Sequence, residues 1–152
     1  MGRDASGSLE AGDVAALVAE LRRADCFHLE VDGISEAGFV RCSGLGARRE
    51  VFACYEGGAE APRVLRGRVA YETIVLERGV AKDTTLYEWF LRGDRRDGAI
   101  VLVATSGEEL ARWRFVRGWP CAWRGPRLDA SRAEVAVEAL EIVHEGIACE
   151  TA

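Results

Sequence analysis

The reading of the fold turns on ELARWRFVRGWP (residues 109–120), CAWRGPRLDAS (121–131) and RAEVAVEALEIVHEG (132–146). In the first piece Ala111, Trp113 and Phe115 alternate with Arg112, Arg114 and Val116, the period of a strand with one buried face. Proline cannot donate to a ladder and restrains the residue before it, so Trp119-Pro120 is expected to stop that strand. Three of the four tryptophans lie between 113 and 123, which makes this corner a packing centre. The third piece is ambiguous. Ser131 with Glu134 has capping-box spacing, and Ala, Glu and Leu favour a helix. Against this, Val135 and Val137 alternate with polar or small neighbours, and Leu140 and Ile142 then take over the apolar phase. A strand with a slip near Glu138-Ala139 explains that pattern as well as a helix does.

The string WRFVRGWPCAWRGPRLDAS (113–131) with EVAVEALEIVHEG (134–146) resembles the C-terminal signature of the phage tail tube family. VDG at 31–33, GFVRCSGL at 38–45, YEGG at 55–58, LERGV at 76–80 and LYEW at 86–89 follow in the family's order. The resemblance spans roughly residues 27–147. Its specific part is the combination of Trp113, Trp119, Pro120, Trp123, Gly125 and Pro126 with His144, Glu145 and Gly146. In that family, which includes the inner tubes of contractile phage tails and tail-like injection particles, the segment ending in H-E-G is a strand. The resemblance therefore decides the ambiguity for strand.

At 152 residues the chain is long enough for one domain with a real core. Its 49% hydrophobic and 30% charged content is that of a globular protein, and the formal charge of −5 argues against a basic nucleic-acid binder. Cys26, Cys42, Cys54, Cys121 and Cys149 are odd in number and scattered without a C-x-x-C pair, which suits reduced thiols and neither a disulfide frame nor a zinc site. Neither a signal peptide nor a membrane-length apolar run is evident, so synthesis in the cytoplasm is expected.

Residues 1–12 read as a flexible arm and 13–152 as a single domain. Val14, Leu17, Val18 and Leu21 fall at helical spacing behind Asp13, predicting a short amphipathic helix that packs on its own sheet or docks on a neighbour. Strands are expected at 27–31, after which Asp32-Gly33 can close a hairpin, then at 38–43, 45–54, 68–77 and 100–105. Apolar groups on both faces of 68–77 imply protein cover on both sides. Residues 55–67 break all periodicity and form a loop or hairpin extension. Leu86, Trp89 and Phe90 define a helix behind Asp83, Thr84 or Thr85, ending near Gly93. The expected architecture is mainly β: an antiparallel sandwich or half-open barrel of about six strands, one packed helix and the short N-terminal helix.

Little in this chain promises chemistry. His28 alternates on a strand, and His144 beside Glu145 resembles an acid–base pair. No G-x-S-x-G, H-E-x-x-H, P-loop or dinucleotide fingerprint is present, so no catalytic, cofactor or metal site is expected. The resemblance implies assembly: six-membered rings stacked into a hollow tube within a sheath, with baseplate, hub and initiator proteins as partners, and DNA or a protein effector as cargo. It implies that Tyr55, Glu56, Glu60, Arg63 and Arg66 contact the adjoining ring. Arg48, Glu50 and Glu72, too polar for a core if unpaired, become candidates for the wetted lumen. Three further readings stay open: an initiator or adaptor at the baseplate end, a monomeric binding module on the same fold, and a small cysteine–histidine enzyme with a low-pKa thiol.

Overall fold

The computed structural model describes residues 26–151; the expected arm and N-terminal helix lie outside them. Ten strands and one helix follow in the order β1 (Cys26–Val31), β2 (Ile34–Glu36), β3 (Phe39–Ser43), β4 (Ala47–Cys54), β5 (Arg63–Tyr71), β6 (Ile74–Gly79), α1 (Thr85–Arg92), β7 (Arg96–Val103), β8 (Glu109–Arg124), β9 (Val137–Val143) and β10 (Gly146–Thr151). Eight strands form one antiparallel sheet in the order β2-β1-β7-β8-β9-β6-β3, with β10 also on β8; β4 and β5 pair only with each other. This is the expected half-open antiparallel barrel. More strands appear than the six or so read from sequence, because β2 has only three residues, β10 lies beyond the last expected strand and one apparent strand divides in two.

The sheet is organised by β8, which is 16 residues long. Its first half pairs with β7 and β10, and its second half with β9. It does not stop at Trp119-Pro120. The last pair with β7 is Arg96 to Gly118, so Pro120 interrupts no ladder on that side, and the register with β9 shifts between Pro120 and Ala122. Just before, Arg117 has φ 50°, and this bend lets one strand serve both halves of a coiled sheet. At the open seam Phe27 of β1 stacks on Phe39 of β3, with ring centroids 6.2 Å apart.

Leu29, Ile74, Trp89, Ile100, Phe115 and Ile142 are the centre of the core inside this curl, all 1% exposed or less. Along β9 the register with β6 is unbroken from Val137 to Ile142. The phase change read near Glu138-Ala139 is therefore no bulge. Glu138 shares the inward face with Leu140 and Ile142, and its carboxylate accepts from the guanidinium of buried Arg78 at 2.5 Å. Ser131 does not open a helix. Its amide and hydroxyl donate to Asp129 Oδ1 at 2.9 and 2.5 Å, holding a turn.

The helix α1 forms where expected. Asp83 Oδ1 accepts the Thr85 amide at 2.9 Å, and the residue past the last turn, Gly93, is left-handed with φ 63° and donates to Trp89 O at 2.8 Å. Leu86 and Trp89 are the buried side of α1, and Trp89 Nε1 donates to Asp94 O at 2.9 Å.

Candidate functional site

One feature of the described chain has no place in the core: the β4–β5 ribbon. The pattern predicts strands at 45–54 and 68–77 on either side of an extension at 55–67. The structure instead breaks the second at Glu72-Thr73, so that residues 63–71 leave the barrel while 74–79 enter it. Both faces of the ribbon are open, contrary to the protein cover expected on either side of 68–77. Every residue of β4 is exposed, with Val51 at 68% and Phe52 at 54%; on β5, Val64 is at 67%. The expected extension at 55–67 is thus a true hairpin, although Arg63 and Arg66 lie in its second strand and only residues 55–62 form the tip.

Register assigns the faces. Ala47, Arg49, Val51 and Ala53 pair with Tyr71, Val69, Arg66 and Val64, giving an apolar face that holds two arginines. Arg48, Glu50, Phe52 and Cys54 look the other way. At the tip, Tyr55 is 81% exposed, Glu60 is exposed, and Glu56 meets Arg63 at 3.4 Å. The lumen candidates Arg48, Glu50 and Glu72 are all exposed. The guanidinium groups of Arg48, Arg49, Arg66 and Arg68 have no carboxylate partner among the described residues, whereas those of most arginines elsewhere do.

The ribbon is rooted in the body. Glu72 N–H donates to Gly46 O at 3.0 Å, and His144 Nε2 lies 3.1 Å from Glu72 O. Since a carbonyl only accepts, Nε2 carries the proton and Nδ1 is left buried without a partner. The His144 ring lies between Tyr71 and Phe115, with centroids 5.6 and 6.1 Å away. Glu145 faces solvent, pairing with Arg117 at 2.6 Å and Arg95 at 3.4 Å, so the adjacent histidine and glutamate do not form an acid–base pair. Of the other signature residues, Pro120 is fully buried, Trp113 and Trp123 pack against the core, and Trp119 and Pro126 are half-buried. Trp123 also meets Tyr87 of α1 at 4.9 Å, Gly125 is exposed and Gly146 opens β10.

Two charged clusters hold the sheet. Arg78 binds Glu138, Glu36 at 3.0 Å and the Asp83 carbonyl at 3.2 Å, linking β2, β6, β9 and the approach to α1. Burial, then the neighbouring Asp83, raises the Glu36 carboxyl above its ordinary value. On the outer face of β1 and β8, Arg112 donates to both oxygens of Glu109 at 2.8 Å and to Glu30 at 2.6 Å, while His28 lies 3.0 Å from Glu30. Hydrogen bonds from Arg112 hold both carboxyls below the usual range. Burial pushes the Cys42 thiol up to about 11 and that of Cys121 upward, the opposite of what a nucleophilic cysteine needs.

An open groove of about 420 Å3 lies beside this second cluster, lined by Asp32, Asp97, Ala99, Arg112, Arg114 and Phe115 among others. The sequence held no signal for it. Asp32 and Asp97 are far apart in the chain and come to line one groove because Val31 pairs with Gly98.

The family described as T4-like virus tail tube protein gp19 matches residues 23–148. The chain belongs to that family. No curated protein matches it. Among solved structures, a tail tube fold of this kind is found in the sheath–tube complex of an extracellular contractile injection system, PVC, in its extended state. That relative is 20% identical over 95% of this chain and 100% of its own, with a TM-score of 0.77. The tube-terminating cap of the anti-feeding prophage is similar at 22% identity over 83% and 88%, with a TM-score of 0.75. Hcp1 from Flavobacterium johnsoniae is similar at 17% identity over 84% and 96%, with a TM-score of 0.58. The fold is thus shared by tail tube and Hcp proteins.

Proposed function

We propose that this tail tube family protein is a structural subunit of the inner tube of a contractile particle, forming six-membered rings that stack into a hollow conduit. The observation that carries the reading is the exposed, largely apolar β4–β5 ribbon. A lone two-stranded hairpin is marginal in water, and an apolar surface of this kind marks an interaction site. Family membership supports a neighbouring copy as its cover, with Tyr55, Glu56, Glu60, Arg63 and Arg66 as the inter-ring contacts and Arg48, Glu50 and Glu72 toward the lumen. The sheath, the baseplate and a DNA or protein cargo are the remaining partners, and the role is non-enzymatic. Likeness to a tube-terminating cap favours a second reading, a terminal or initiating ring. End-to-end coverage by the sheath–tube relative favours bulk tube.

Negative-stain electron microscopy at rising protein concentration, with solution mass measured alongside, tests this. Rings or stacked tubes are the expected result. Particles that stop at single rings favour the terminal role, and monomers at every concentration, with or without baseplate components, overturn the assembly reading.

A further inference from the structure

The ribbon carries five arginines against three glutamates, Glu56 and Glu60 of its tip included, a net +2 on a chain whose formal charge is −5; the rest of the chain therefore carries −7. A second copy is thus an acidic partner for the ribbon. Its groove offers a specific acceptor. Asp32 and Asp97 flank the Val31–Gly98 pair and both line the groove; both are exposed and neither is in an ion pair among the described residues, although Asp97 Oδ1 accepts the Arg117 amide at 2.8 Å. The groove's cations are already engaged, Arg112 by Glu109 and Glu30, and Arg114 by Glu150 at 2.9 Å. Val116, 46% exposed, adds an apolar side chain to the lining.

We infer that the apolar face of the ribbon, with Arg49 and Arg66 set among Val51, Val64 and Val69, docks into the Asp32–Asp97 groove of an adjoining copy. This rests on the tube reading and deepens it. The contact is heterologous, a ribbon on one side and a groove on the other, so it propagates from copy to copy. It also fixes orientation: with the Arg49 face covered, the opposite face bearing Arg48 and Glu50 stays wet. Desolvated arginine–carboxylate pairs supply specificity in such a contact, and the aliphatic side chains supply area.

Charge reversal distinguishes this from generic stickiness. A chain with Asp32→Arg and Asp97→Arg is expected to need at least about tenfold more protein to assemble by light scattering, as is a chain with Arg49→Asp and Arg66→Asp. Circular dichroism should show both folded. Mixed in equal amounts, each variant supplies what the other lacks, and assembly is expected to return near the wild-type concentration. Wild-type tubes whose formation is untouched by either reversal, or reversals that the mixture does not rescue, overturn the groove while leaving the tube reading standing. Association that responds to the swaps but builds no rings supports the groove and removes the tube. A wild-type chain that never self-associates removes both.

Discussion

Arg78 is 5% exposed between two carboxylates, and Arg78→Met would leave Glu36 and Glu138 inside the seam without their cation. Breaking one side of a buried charge cluster costs about 3–5 kcal/mol, a large share of a domain's stability. Urea unfolding should show that loss, and a cost below about 1 kcal/mol would mean that water already reaches the cluster. The same region sets an acid response. The Asp83 carboxyl is held at about 2, against an ordinary 3.8, by hydrogen bonds from Glu36 and Thr85. A depressed acid stabilises the fold fully above its unfolded value and loses that contribution as pH falls through the folded one. Glu36, raised by burial, acts in the opposite sense, its stabilisation being lost as pH rises through its folded value. Melting temperature followed from pH 4 to pH 2 should therefore fall more steeply in the wild type than in Asp83→Asn; parallel curves would show that Asp83 has no part in acid stability. These residues were hard to find in the sequence. Glu138 interrupts an apolar alternation, which reads as a slip in phase when it is an inward carboxylate meeting its arginine.

The ribbon and the barrel are elements of different standing. Replacing residues 50–68 by a two-residue turn removes surface that covers nothing in the core, so the melting temperature should change by no more than about 4 °C, the scale of about 1 kcal/mol. A collapse of folding would show that the ribbon supports its own barrel. Its root is less forgiving. Gly44 has φ +81°, and a Cβ there would lie 1.8 Å from the Thr73 carbonyl oxygen, so Gly44→Ala should destabilise by several kcal/mol, about the scale of combined backbone strain and overpacking. Thermal unfolding measures it directly. At this scale the sequence was legible in part: broken periodicity at 55–67 marked an extension, and α1 was read with its stop at Gly93, while its cap was left among Asp83, Thr84 and Thr85. The division of 68–77 was not legible, since alternation of apolar residues reports that something covers a face and does not say whose chain it is.

For the whole molecule, a ribbon of +2 on a chain of −5 makes association depend on ionic strength. Raising salt from about 0.1 M to about 1 M shortens the screening length from roughly 10 to 3 Å. Assembly at fixed protein concentration should slow and weaken over that range in light scattering. Stronger assembly with added salt would mean that apolar burial alone holds the copies together. Glu50→Leu and Glu72→Leu should leave folding intact, because both side chains are exposed; loss of soluble expression would argue for hidden partners. If Glu50 faces the lumen, tubes should still form from Glu50→Leu.

By itself the sequence determined the kind of protein: mainly antiparallel, one helix on the sheet, a tail tube family signature spread along the chain, and an extension at 55–67 whose broken periodicity sets it apart from the strands. Those properties are local, carried by period, turn chemistry and short strings. Tertiary structure alone decided that β8 runs on through Pro120, since only the withdrawal of β7 makes the missing N–H harmless. It also decided that β10 returns along β8 and that Asp32 and Asp97 line one groove. Each of these is a pairing between distant segments, and a strand's own pattern says which way its side chains point without naming the strand it will lie beside.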